Sequence, residues 1–283
     1  MALPALELAR LPFIRKCLNR FAIPRSEGGL GRPAIVFAPH QDDETLGCGG
    51  TIIRKRELSA AMTIVFMTDG SRSHSHLMAG SQLAEVRVGE ALKAASALGC
   101  LEKHVRFLGF QDGGLAQAGA AALESVTEIL EEKQPEEVYI PFGRDGHSDH
   151  EATHAIVRRA LARRQQEVFV YEYPIWFWHS WPWVRTTLKR KLGGRAVMKG
   201  VRDARIFFSA FARFRSSVFV GDVLHLKEAA LTCHRSQMIR LNDDPSWPTL
   251  GDIAGGDFLD CFSLPFEVFD EYRYPSTSDL RDV

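Results

Sequence analysis

Five short apolar runs constrain the fold of this chain more than any other feature. They are "PAIVFAP" (33–39), "AMTIVFMT" (61–68), "HVRFLGF" (104–110), "EEVYIPF" (136–142) and "EVFVYEY" (167–173). Each is rich in β-branched and aromatic residues and short, so each reads as a buried strand. Between them lie helix-length segments at about 44–57, 81–99, 117–133 and 150–165, the second ending on Gly99, a residue suited to a helix C-cap. Strand–helix–strand repetition of this kind joins parallel strands through helical crossovers. The expectation is an α/β fold: a mostly parallel sheet flanked by helices.

After Tyr173 the pattern changes. A densely aromatic stretch, "YPIWFWHSWPW" (173–183), leads into a strongly basic run over 184–205, then a helix expected over 223–240 and an apolar "FEVFDEYRY". No internal repeat or long Pro/Gly/Ser linker divides the chain. The expected organisation is an amphipathic arm over 1–32 and one domain over 33–283, with a C-terminal elaboration from about 174. The formal net charge is zero, which removes bulk attraction to a polyanion, so no nucleic-acid partner is expected. Cys17, Cys48, Cys100, Cys233 and Cys261 are odd in number and contain no C-x-x-C pair, arguing against both a disulfide framework and a thiolate zinc site. No run reaches the roughly 18 to 20 apolar residues that span a bilayer. These features suggest a cytoplasmic protein, with the arm and the basic run leaving contact at a membrane surface open.

The chemistry concentrates in two places. "APHQDDETLGCGG" (38–50) packs His40, Asp42, Asp43 and Glu44 where an apolar run has just ended. Crowded carboxylates repel unless a cation, a proton or a helix N-terminus offsets them. A second cluster, "GRDGHSDHEATH" (143–154), follows another predicted strand and offers His147, Asp149 and His150. Ligands of open α/β sheets sit beyond the carboxyl ends of the strands, so the two clusters can converge there. Imidazole with carboxylate suits Zn²⁺ or another divalent transition metal. A cation of that kind, beside a free carboxylate, is equipment for hydrolysis. The plainer reading is that Asp42 and Asp43 cap a helix and that the histidines are solvated.

"PHQDDE" with a later "HSDH" resembles the LmbE-like, or PIG-L-like, metal-dependent N-deacetylases, which act on N-acetylglucosamine groups of glycoconjugates. "TDGSRS" (68–73), "LAEVRVGEALKAASALG" (83–99), "LGFQDGGL" (108–115) and "HRSQM" (234–238) extend the resemblance, which is fullest over Ala34 to His154. It implies a Rossmann-like fold. It also implies His40, Asp43 and His150 as ligands of Zn²⁺, Fe²⁺ or Mn²⁺ and Asp42 as the general base. His147 is implied as oxyanion stabiliser or acid, oriented by Asp149, and Arg87 and Asp112 as substrate-binding residues. For these last two the plainer readings are a surface ion pair and a turn residue. The implied substrate is an N-acetylated amino-sugar glycoconjugate, lipid-linked ones included. One departure stands out: Gln41 replaces the family's usual proline, which implies altered loop stiffness or pocket polarity.

Other features carry expectations too. Gly47, Gly49 and Gly50 fit close helix–sheet packing better than a phosphate loop. Cys48 is a nucleophile only by proximity. Tyr173, Trp176, Trp178, Trp181 and Trp183 are read as core packing, sugar-stacking residues or a lipid-facing surface. His234 is left outside the metal set, as a helix residue lining the pocket at most. The rival enzyme class is a hydratase of the same fold, which adds water to an unsaturated dicarboxylate and would need converging arginines such as Arg72, Arg87 and Arg144.

Overall fold

The computed structural model describes residues 22–164, 166–180, 183–184 and 212–274. All five expected strands form: β2 (Ala34–Ala38), β3 (Met62–Thr68), β4 (Val105–Phe110), β5 (Glu137–Pro141) and β6 (Val168–Tyr173). The helices between them are α2 (Asp43–Glu57), α3 (Gly80–Ala97), α4 (Gly119–Lys133) and α5 (Ser148–Arg164). These strands pair in parallel in the order β6-β5-β2-β3-β4. The chain winds outward from β2 through β3 to β4, then returns to lay β5 on the other side of β2. The order therefore reverses between β2 and β5, where such sheets leave a crevice for ligands.

Beyond β6 the elaboration extends the same sheet. β8 (Phe266–Tyr274) runs antiparallel to β6, β7 (Ser216–Phe219) antiparallel to β8, and the two-residue β1 (Ile23–Pro24) pairs with Ser216–Ser217 of β7. A short helix, α1 (Glu27–Leu30), joins β1 to β2. Residues 1–21, which hold most of the amphipathic arm, and 185–211, which hold the basic run, lie outside the described residues. Trp181 does too.

Two apolar cores form on opposite faces of the sheet. One contains Ala34, Val36, Ile64 and Phe66 with Ile52 of α2; the other contains Ile35, Phe37 and Val65 with Val126 of α4 and Val157 of α5. Successive side chains of a strand point to opposite faces, so a strand buried on both reads as a continuous apolar run. Helix α2 lies very close to the rest of the protein. A Cβ on Gly47 would stand 2.4 Å from the Tyr173 ring, and one on Gly50 would stand 2.4 Å from Val220. The glycine cluster is thus a packing device, as expected.

The single helix expected over 223–240 is broken. α6 (Leu224–Leu231) stops, a turn follows, and α7 (Arg235–Met238) resumes for one turn. The cause is tertiary. His234, Ser236 and Gln237 are buried polar residues whose partners, Glu44, Glu90 and Asp42, lie on other elements.

Candidate active site

The loop after β2 is clamped before any chemistry is added. The Pro39 carbonyl accepts the Thr68 N–H at 3.0 Å and its hydroxyl at 2.8 Å, while Gln41 Nε2 donates to the Thr68 carbonyl at 2.8 Å. Gln41 is fully buried and ties the loop to the end of β3, so it stiffens the loop by hydrogen bonding and does not line the cleft.

Asp42 sits where a cap residue would, yet its side chain makes no capping hydrogen bond. Its backbone adopts φ 155°, ψ −28°, a region that side chains other than glycine occupy only under strain. Its carboxylate accepts a hydrogen bond from Gln237 Nε2. Asp43 Oδ2 accepts the His40 N–H at 2.9 Å and lies 3.3 Å from His40 Nδ1 and 3.2 Å from His150 Nε2. Nitrogens of two histidines therefore converge on one carboxylate oxygen. Helix capping does not account for this arrangement.

The far nitrogen of each histidine faces another carboxylate. His40 Nε2 is 3.3 Å from both Asp112 Oδ1 and Asp149 Oδ2, and His150 Nδ1 is 2.8 Å from Asp145 Oδ2. Imidazole with one nitrogen inward and the other backed by a carboxylate is the usual arrangement around a metal. His150 is completely buried, and neither of its ring nitrogens has an aligned hydrogen bond. Two sets of donor atoms lie within 4.8 Å of one another, one from His40, His147 and His150 and one from His40, Asp112 and Asp149. In the second set the carboxylates are already engaged by backbone N–H groups: Arg72 on Asp112 at 2.9 Å, Gly113 and Leu115 on Asp149 at 2.7 and 3.3 Å.

Asp149 differs from its expected role. Its carboxylate backs His40 and does not orient the His147 ring. It is the Asp149 backbone N–H that meets His147 Nδ1, at 3.3 Å. With Nδ1 accepting, neutral His147 carries its proton on Nε2, as a donor.

Charge follows the geometry. Burial, then the neighbouring Asp43, push the Asp42 carboxyl up to about 7, against the pull of His234, Arg87 and His40. Burial opposes ionisation of Asp43 as well, but His150 and His40 hold it far below the usual carboxylate range. Burial disfavours charge on His40, yet Asp112, Asp149 and Asp43 raise it well above an ordinary imidazole. His150 rises to about 9, where Asp43 and Asp145 outweigh burial. Burial and the neighbouring His40 and His150 lower His147. A field that favours positive charge on the imidazoles of His40 and His150 favours a dication at the same point.

The cleft encloses about 450 Å³. Its polar lining includes His40, Asp42, Asp112, Arg87 and His147, and its apolar lining Trp176, Leu250, Ile253 and Phe258. Arg87 is only 3% exposed and donates to Ser73 Oγ at 2.8 Å, so the surface ion pair is excluded. Of the three arginines that a dicarboxylate would call on, Arg72 and Arg87 line the cleft, whereas Arg144 is exposed and outside its lining.

The tryptophans divide. Trp178 and Trp183 are core, as is Tyr173. Trp176 lines the cleft, its ring nearly parallel to His147 (centroids 5.8 Å) and to Phe258 (5.3 Å). Cys48 is fully buried and its thiol is pushed well up by burial and then by Glu267, which excludes it as a nucleophile. Among the described residues no helix is long and apolar enough to cross a membrane.

Comparison with known proteins agrees with this geometry. Residues 35–161 match the PIG-L family, described as GlcNAc-PI de-N-acetylase. A 1D-myo-inositol 2-acetamido-2-deoxy-alpha-D-glucopyranoside deacetylase of Saccharomonospora viridis is 32% identical over 236 residues, covering 70% of this chain and 82% of that protein. The chain belongs to the PIG-L family. The fold of this PIG-L chain is shared by the N,N'-diacetylchitobiose deacetylase of Pyrococcus horikoshii (TM-score 0.60, 21% identity, 94% of this chain and 92% of that one). It is shared too by a 4-carboxy-2-hydroxymuconate hydratase of Pseudomonas putida (TM-score 0.53, 21% identity, 71% and 78%).

Sequence reasoning passed over two features of this PIG-L site, Asp145 and Gln237, and misplaced a third, His234. Asp145 lies inside the quoted "GRDGHSDH", where its distance from His150 in sequence hid the contact. Its carboxylate also accepts the backbone N–H groups of Ile175, Trp176 and Phe177 at 2.9, 2.9 and 3.0 Å. His234 does not line the cleft. It is buried behind it, Nε2 2.9 Å from Glu44 Oε1. Gln237 reaches Asp42 from the same turn.

Proposed function

We propose that this protein is a divalent-metal hydrolase, zinc being the native ion, that removes the N-acetyl group from an N-acetylglucosamine-type sugar of a glycoconjugate. His40, Asp43 and His150 would hold the ion, since a nitrogen of each histidine approaches the same Asp43 oxygen, at 3.3 and 3.2 Å, and each histidine is backed by a carboxylate. That convergence carries the reading. A bound divalent ion supplies Lewis-acid polarisation of the acetyl carbonyl and acidifies water.

The remaining chemistry falls to the chain. Asp42 takes a proton from the attacking water; burial and the neighbouring Asp43 raise its affinity for that proton. The water oxygen bonds to the acetyl carbon, and the carbonyl oxygen becomes an oxyanion. His147 offers its Nε2–H to that oxyanion. The C–N bond then breaks, the proton held on Asp42 passes to the sugar nitrogen, and the free amine leaves with acetic acid, which gives up its remaining proton to become acetate. Arg87 and Asp112, buried polar residues in the lining of the cleft, would bind sugar hydroxyls.

The curated relative above is named for an N-acetylated glucosaminyl-inositol, which supports the same substrate class here. The test is acetate release by the Zn²⁺-, Fe²⁺- and Mn²⁺-loaded protein on a panel holding N-acetylglucosaminyl-inositol, N,N'-diacetylchitobiose and a lipid-linked N-acetylglucosamine. Hydration of an unsaturated dicarboxylate serves as the comparison. Acetate from at least one sugar is expected. Hydration without acetate release from any of them would overturn the reading.

A further inference from the structure

The one-turn helix α7 reaches the candidate base at the wall of the cleft, which Gln237 lines, and its chemistry is specific. Gln237 is 6% exposed and its Nε2 donates to Asp42 Oδ2. Its carbonyl Oε1 is buried with no hydrogen-bond partner. An ionised carboxylate only accepts, so the amide must turn its NH₂ to Asp42 and leave its oxygen orphaned. A buried acceptor without a partner destabilises the fold. An apolar side chain of similar size would fill the same space without that cost.

The turn itself is rigidly held. The Ser236 N–H and hydroxyl both donate to Glu90, at 2.8 and 2.7 Å, and Trp247 Nε1 donates to the Ser236 carbonyl at 2.8 Å. His234 lies 2.9 Å from Glu44 Oε1, and Glu44 Oε2 accepts the Asp42 N–H at 3.1 Å. Asp42 is thus held twice from one turn: its carboxylate by Gln237, and its strained backbone through Glu44 by His234.

Taking Asp42 as the general base of the proposed reaction, we infer that Gln237 is its positioning residue. The amide NH₂ occupies one carboxylate oxygen and fixes the plane of the group, so that the other oxygen is presented to the attacking water. The C-terminal elaboration therefore completes the catalytic apparatus; a role confined to covering the sheet would leave Asp42 unoriented.

Gln237→Met keeps the volume and removes both polar ends. The melting temperature is expected to hold or rise, with metal content and KM unchanged, while kcat falls about 10- to 100-fold, the scale of losing an outer-shell partner. In an Asp42→Asn background the same change is expected to lower the residual rate by less than about threefold, because residues acting through one group are not additive. Equal losses in the two backgrounds would sink the Gln237 assignment alone. Full activity in Asp42→Asn would instead remove the base, and this inference with it. Apart from turnover, the Gln237 side-chain amide resonance of the labelled protein is expected to be exchange-protected and to shift in Asp42→Ala. A resonance that does not move overturns the contact whatever the enzyme does.

Discussion

At position 42 the chain starts a helix on an aspartate and then declines to use it as a cap. The carboxylate is turned towards Gln237 and the cleft, and the backbone carries a φ of 155° to allow it. Strain of about 1–3 kcal/mol persists at such positions when the surroundings over-determine them. Asp42→Asn keeps the size and removes the base, so metal should stay bound while kcat falls by about 10²- to 10⁴-fold. Activity within threefold of the parent, with metal content unchanged, would make Asp42 a structural residue. The ligand set is tested beside it. His40→Ala, Asp43→Ala and His150→Ala are each expected to abolish tight metal binding, whereas His147→Ala should retain the ion and lose turnover. Elemental analysis of the four purified variants separates this set from one in which His147 replaces Asp43. An Asp43→Ala protein that keeps its metal would decide for the latter.

β2, β3 and β5 were legible because each is buried on both faces, and burial on both faces writes itself into sequence as an apolar run. β4, an edge strand with only Val105 buried, was legible from its β-branched and aromatic residues. β7, "SSVF", was not: two serines carry no such signal, and the strand exists because β8 and β1 pair with it. The helix expected over 223–240 failed for the opposite reason. Its local pattern is helical, but partners on α2, on α3 and in the loop before α2 for His234, Ser236 and Gln237 outweigh local preference. The two His/Asp clusters at the exits of β2 and β5 were legible by composition and position. The carboxylates behind the histidines were not, since spacing does not reveal which face of a loop a side chain takes. Helix α2 supplies a test of the packing that sets the site. Gly47→Ala would improve local helix propensity by about 1 kcal/mol. Its methyl, however, would meet the Tyr173 ring, which is fully buried and hydrogen-bonded to the Phe37 carbonyl at 2.7 Å. Overpacking of this kind costs about 1–3 kcal/mol. The clash should win, so calorimetry should show a lower melting temperature for the variant; an unchanged or higher one would mean that Tyr173 yields.

At the scale of the whole molecule, the site draws on distant parts of one sheet. His40 and Asp43 follow β2, and His147 and His150 follow β5, while the base is held by a turn from the elaboration. The unfolded chain cannot present these groups together, so an ion held by them binds the native state alone. Stability then rises by RT ln(1 + [metal]/Kd), about 2.7 kcal/mol at a hundredfold excess over Kd. The two cores on either side of the sheet include none of the proposed ligands, so removing the ion should not unfold the protein. Treatment with a chelator is therefore expected to leave the far-ultraviolet circular dichroism spectrum unchanged at 25 °C and to lower the melting temperature. Stepwise return of the ion should raise it again with the logarithm of free metal. His150→Ala should melt at one temperature throughout, which separates binding at this site from any general effect of chelator or salt. A parent protein whose melting is indifferent to chelation would show that the convergent histidines and Asp43 hold no ion. The crowded negative charge would then have to be offset by protons on His40 and His150, with Arg87 and His234.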